Sequence, residues 1–112
     1  MSDWLFALED IEARLADDPA RSRVHYALRH GSMRFGIYAP RGSDDQDPHT
    51  QDELYIVVSG SGRFVKNGDE RPFQPNDAIF VEAGAEHRFV DFTDDFATWV
   101  IFWGPQGGEA EA

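Results

Sequence analysis

The chain contains no cysteine. That excludes a disulfide framework, a thiolate nucleophile, and cysteine-ligated zinc or iron–sulfur centres. Positive charge is also scarce: Lys and Arg together number 10 against 21 Asp and Glu, for a formal net charge of −11. Such a surface repels nucleic-acid phosphates and anionic lipid headgroups, so neither is expected as a partner. No segment approaches the roughly 20 apolar residues of a membrane span. The opening MSDWLFALED has neither the basic region nor the apolar stretch of a secretory signal, and the expectation is a soluble, cytoplasmic protein. With 112 residues there is room for one core and not two.

What is present is an aromatic-rich chain whose period changes once. Trp4, Leu8, Ile11 and Leu15 form a helical stripe, with Asp3 as the expected cap and Pro19, after Asp17 and Asp18, as the stop. Thereafter the pattern is one of short β segments, at 23–29, 32–39, 53–59, 62–66, 78–82, 87–92 and 97–103. The links between them are turn-forming. Asn67-Gly68, between RFVK and DERPF, is the strongest hairpin signal, because a type I′ turn needs φ > 0 at both central residues. Short strands separated by regular turns predict an all-β sandwich or barrel. The final segment, FATWVIFW, is apolar on both parities, with Phe96, Val100 and Phe102 on one face and Ala97, Trp99, Ile101 and Trp103 on the other. One face is expected to meet the interior and the other a second sheet, the helix or a second subunit. The division expected is a helix over 1–18, a β-barrel over 19–104 and a flexible tail over 105–112, where GPQGGEAEA offers no apolar side chain to pack.

The stretch DPHTQDELYIVVSGSG carries the first chemical signal. On a straight strand His49 and Glu53 would stand roughly 13 Å apart at about 3.3 Å per residue, too far to share an ion. A turn through Thr50-Gln51-Asp52 is therefore expected, with His49 ending one strand and Glu53 opening its antiparallel neighbour. Tyr55 and Val57 share the parity of Glu53 and should point inward with it. A third candidate, His87, opens the strand after Gly84, whose freedom of φ suits a tight corner. Taken singly, each histidine is more simply a hydrogen-bonded loop or core residue. Together, two imidazoles and a carboxylate make the ligand set that suits non-haem iron(II) and also accepts manganese, nickel, copper or zinc.

These residues resemble the cupins, whose motifs are G-x5-H-x-H-x3,4-E-x6-G and G-x5-P-x-G-x2-H-x3-N. Asp47-x-His49-x3-Glu53-x6-Gly60 fits the first from its middle onward, and Asn76-x5-Glu82-x-Gly84-x2-His87-x3-Asp91 keeps the spacing of the second throughout. The resemblance implies a double-stranded β-helix, or jelly-roll barrel, with a short N-terminal helix. It also implies a divalent transition metal (Fe, Mn, Zn or Ni) on His49, Glu53 and His87, and a homodimer acting on a small-molecule substrate or ligand. The departures bear on the site. Asp47 stands where the first histidine belongs, so Asp47 or the adjacent Gln46 is a candidate oxygen ligand, with water or substrate the alternative. Asn76 for glycine is mild, since Asn tolerates the left-handed region, and Glu82 for proline and Asp91 for asparagine remove no ligand.

Tyr55 is a candidate catalytic residue through its hydroxyl, against the plainer reading of a core aromatic. Asp91 either orients His87 or begins a turn. His25 and His30 belong to no motif. SGSG has neither a following helix nor a Lys-Ser/Thr, so it is a turn and not a phosphate cradle, and the absence of G-x-S-x-G leaves a serine hydrolase unsupported. Three functions stay open. The first is a metal-dependent enzyme on a small organic molecule, an oxygenase foremost, with a non-redox isomerase, lyase or cyclase as its variant. The second is a sensing module, and the third a non-catalytic ligand-binding cupin.

Overall fold

The computed structural model describes residues 4–18 and 22–110. One helix, α1 (Leu8–Asp17), precedes β1 (Val24–His30), β2 (Met33–Tyr38), β3 (Asp52–Ser59), β4 (Gly62–Lys66), β5 (Asp69–Phe73), β6 (Ala78–Val81), β7 (His87–Val90) and β8 (Ala97–Trp103). The strands make two antiparallel sheets, one in the order β1-β2-β8-β3-β6 and the other β5-β4-β7. They face each other across one core without joining edge to edge, which is the expected all-β jelly roll with its short N-terminal helix.

Alternation along β3 and β8 builds that core. Tyr55 and Val57 from β3, and Phe96, Val100 and Phe102 beside and along β8, meet Phe64, Phe73 and Phe89 from the smaller sheet. Phe89 is the hub: its ring lies 4.6 Å from Phe96, 4.8 Å from Phe64, 4.9 Å from Tyr55 and 5.3 Å from Phe73. Each such aromatic contributes about 1.5–3 kcal/mol by burial, with a further 0.5–1.5 kcal/mol from each favourable ring pair. The outer face of the larger sheet meets the helix, chiefly at β1 and β2. Ile11 and Leu15 pack on Ile37, Ala39 and Ala97, with Trp99 at the margin, and Trp99 stacks on Phe35 at 4.9 Å.

Several local expectations need correcting. Trp4 is 86% exposed and lies before the helix, so the buried stripe is Ile11 and Leu15. The N-cap position is Ala7, with no side-chain cap; Asp3 and Pro19 lie outside the described residues. β5 is a strand despite its polar DERP run, because it pairs with β4 from Gly62↔Phe73 to Lys66↔Asp69. The hairpin between them turns as expected, with φ of 50° at Asn67 and 84° at Gly68. After Trp103 the backbone is bonded back to the loop before β3 and to its start: Gly107 N–H donates to Thr50 O (2.6 Å) and Glu109 N–H to Asp52 Oδ2 (2.9 Å). Among the described residues no helix is long and apolar enough to cross a membrane.

Candidate metal centre

Three elements converge at one end of the core. Glu53, the second residue of β3, points inward at 1% exposure. His87 opens β7 from the facing sheet and is also buried. His49 is not at the end of a strand as expected: it sits in the loop between β2 and β3, and the chain bends at Thr50 and Gln51 before pairing begins at Asp52. Gly84 holds this loop in place, its N–H donating to His49 O at 2.7 Å. The φ of 82° at Gly84 makes the corner that an L side chain resists.

The polar atoms of the three side chains converge. Glu53 Oε1 lies 3.2 Å from His87 Nε2 and 3.9 Å from His49 Nε2. The ligand atoms of all three residues fall within 4.8 Å of one another. Bonds of about 2.0–2.2 Å to a transition metal place neighbouring ligand atoms roughly 3.0–3.5 Å apart, so one ion fits among them with small adjustment. Both Glu53 oxygens and His87 Nε2 are buried without a hydrogen-bond partner. Leaving three such atoms unsatisfied costs several kcal/mol, and a cation satisfies all of them. His87 is prepared for this role, because Nδ1 is 2.9 Å from Ala85 O. Donation there puts the ring proton on Nδ1 and leaves the Nε2 lone pair facing Glu53.

Electrostatics separate the two histidines. Burial holds the His49 pKa below the ordinary value of 6.5, against the opposing pull of Glu53, which keeps the ring neutral near pH 7. For His87 burial also disfavours the charge, but the Glu53 carboxylate, 3.2 Å from Nε2, and Ala85 O favour the protonated ring more strongly and the pKa rises. A proton on Nε2 and a metal ion are therefore competing ways to satisfy the same carboxylate.

Of the two candidate oxygen ligands the structure brings one inward. Gln46 Oε1 lies 3.1 Å from His49 Nε2 and accepts the Tyr55 hydroxyl at 3.3 Å. Asp47 is exposed and stands outside the cluster. Tyr55, a candidate for direct catalysis, is fully buried. Burial and the Glu53 charge raise its pKa well above the usual value, so it stays protonated and holds Gln46. Asp91 does not orient His87 but pairs with Arg63.

Asp44, in the same acidic loop as Asp45 and Asp47, supports the site from behind. It is only 4% exposed. Its carboxylate accepts from Tyr38 Oη (2.7 Å), Phe89 N (2.9 Å), Gln46 Nε2 (2.9 Å) and Gln46 N (3.2 Å). Because Asp44 takes the amide nitrogen, Gln46 must present its oxygen to His49. No sequence signal separates Asp44 from the exposed Asp45. A cavity of about 310 Å³ opens beside His49 and Glu53, walled by Val24, Tyr26, Tyr38, Val100 and Phe102 among others. Phe102 meets His49 edge-on at 4.8 Å.

Comparison with known proteins agrees with this fold. The Cupin domain family matches residues 34–103. An uncharacterized protein of Streptomyces coelicolor is 34% identical over 104 residues, covering 90% of this chain and 96% of that protein. A structure of unknown function from Rhizobium leguminosarum superposes with a TM-score of 0.75 at 18% identity, over 94% of this chain and all (100%) of that one. A Cupin 2 conserved barrel domain protein from Salinispora arenicola gives 0.66 at 18% identity, over 93% and 91%.

Proposed function

The chain belongs to the cupin family, and from that premise we propose that it is a metal-dependent enzyme acting on a small organic molecule, with oxygenation at iron(II) as the favoured chemistry. His49, Glu53 and His87 form the fixed face of the metal site, and Gln46 adds a neutral oxygen. The observation that carries the reading is the set of buried, unpartnered atoms, Glu53 Oε1, Glu53 Oε2 and His87 Nε2, aimed at one point beside His49. Iron(II) held by these residues would supply the redox chemistry that activates dioxygen toward a bound substrate.

The rest of the work falls to the protein's own groups. Glu53 provides the one negative charge that offsets a divalent ion. Ala85 O fixes the His87 tautomer, and Gly84 N–H fixes the loop that carries His49. Asp44 and Tyr55 together set the direction of the Gln46 amide. Tyr26, Tyr38, Val100 and Phe102 give the substrate an apolar wall and limit water at the metal.

A non-redox isomerase or lyase is the second reading, and the Gln46 oxygen is the observation that favours it. An oxygen in place of an imidazole makes the ligand set harder and suits manganese or zinc as well as iron. Elemental analysis of the purified protein beside a His49→Ala, His87→Ala double variant tests both readings. About one equivalent of metal, lost in the variant, is expected. Iron selects the oxygenase and zinc or manganese the non-redox reaction. A protein that stays metal-free after incubation with iron, manganese, nickel and zinc, with a variant of equal stability, sinks the proposal and leaves a non-catalytic ligand-binding cupin.

A further inference from the structure

The interior face of the larger sheet carries an unusual row. Pairing places Arg29 opposite Arg34, Arg34 opposite Phe102, and Phe102 opposite Glu53. Four adjacent strands thus present two arginines, an aromatic ring and the candidate metal carboxylate in one line. Like charges directly opposite each other on a sheet repel and destabilise the pair. In a chain with 21 acidic residues, a carboxylate would be the obvious neutraliser. Yet among the described residues the salt bridges of Arg and Lys involve Arg63, Lys66 and Arg71, and neither Arg29 nor Arg34.

Arg34 is held rather than loose. Its guanidinium carbon lies 4.4 Å from the centre of the Phe102 ring and 5.1 Å from that of Tyr26. Arg29 sits 5.0 Å from the same Tyr26 ring. Stacking on two rings orients the guanidinium plane and removes part of its hydration. Of its five N–H groups, the one hydrogen bond found goes from Nη2 to Gln51 Oε1, at 3.3 Å. Tyr26 and Phe102 are also walls of the cavity that contains His49 and Glu53. A rigid cation with free donors therefore stands at the rim of that cavity.

We propose that Arg34, assisted by Arg29, is the anchor for a carboxylate on the substrate, so that the molecule taken by this site is a small organic acid with an apolar or aromatic body. The inference rests on the cavity being the substrate site of the proposed metalloenzyme. Arg34 and Glu53 lie two strands apart, roughly 10 Å at about 4.8 Å per strand. The acid group is thus bound away from the metal while the body spans the Phe102 and Tyr26 rings. The guanidinium fork can take either a carboxylate or a phosphate, and charge decides between them: the −11 charge of the chain makes a dianion harder to admit than a monoanionic carboxylate.

The test compares phenylacetate, phenylacetamide and phenyl phosphate by calorimetric titration into metal-free full-length protein. The acid is expected to bind roughly ten- to a hundredfold more tightly than the amide, the worth of a charge-assisted hydrogen bond. Arg34→Gln should abolish that preference and Arg34→Lys should retain part of it. Arg71→Gln, the same charge change on an exposed residue of β5 already paired with Asp69, should leave it intact. Equal binding of acid and amide by the wild type, absence of binding by the acid, or a preference unchanged in Arg34→Gln would each overturn the proposal. Tighter binding of phenyl phosphate would overturn the assignment to a carboxylate. Because these titrations contain no metal, failure of the metal site leaves their outcome readable. Zinc binding by Arg34→Gln equal to wild type shows that the two sites fail separately.

Discussion

Replacing Asp44 by Ala removes the acceptor of four hydrogen bonds from a residue only 4% exposed. The Gln46 groups are half-buried, and water can replace their acceptor. Phe89 N and the Tyr38 hydroxyl are inside, and each is left orphaned at a cost of about 1–3 kcal/mol. With the small void added, the expected loss is about 3–5 kcal/mol. At this chain length that lowers Tm by roughly 12–20 °C, taking roughly 4 °C per kcal/mol. Tyr38→Phe takes away a single donor and should cost only about 1 kcal/mol. In the Tyr38→Phe background the cost of Asp44→Ala should then shrink by about 1–2 kcal/mol, since one orphan no longer exists. Urea unfolding of the four proteins measures this cycle. The same Asp44 variant frees the Gln46 amide to rotate, so metal affinity should fall by roughly tenfold or more. An Asp44→Ala protein destabilised by less than about 1 kcal/mol, with unchanged metal affinity, would show that the carboxylate neither supports the core nor orients Gln46.

Metal loading should raise Tm: saturation at a hundred times the dissociation constant adds about 2.7 kcal/mol, and a chelator should reverse the shift in wild type while leaving Glu53→Gln unmoved. Stability should depend on pH differently with and without metal. In the metal-free protein His87, raised above 6.5, contributes stability that is full below that value and lost as pH rises through its folded pKa. His49, lowered below 6.5, contributes stability that is lost as pH falls from 6.5 through its folded pKa. Their combined contribution therefore peaks near 6.5, and subtracting the pH profile of the His49→Ala, His87→Ala protein should reveal that peak. With metal bound both rings must be deprotonated, so the metal-dependent increment should rise with pH and level off. Gly84→Ala meets no steric obstacle but forces an L residue to φ 82°. It should cost about 1–2 kcal/mol in thermal unfolding.

Much of the architecture was legible locally, because its determinants are local. Alternation through Glu53, Tyr55 and Val57 placed one face of β3 inward, and the two-sided apolar pattern of β8 announced two packed faces. Asn67-Gly68 set its hairpin through the φ angles that only such residues accept readily. β5 escaped, since DERP has no apolar alternation and is made a strand by its partner β4. The helix was displaced for a similar reason: Trp4 fits a helical period but found no surface to cover.

The cluster of His49, Glu53 and His87 was readable because the resemblance to the two cupin motifs named its residues, although His49 lies in a loop and not at a strand end. The amino-acid sequence by itself determined the residue types of the cluster, the inward parity of Glu53 and the corner at Gly84. What only the tertiary structure decided was the company these residues keep. Gln46 faces the site and Asp47 faces water because one buried carboxylate, Asp44, binds donors from β2, β7 and its own loop at once. Arg29 and Arg34 stand in line with Glu53 because β2, β8 and β3 are neighbours in the sheet although distant in the chain, with β1 joined to β2 by a short turn. Contacts of that kind depend on register between segments tens of residues apart, and no short-range pattern encodes them.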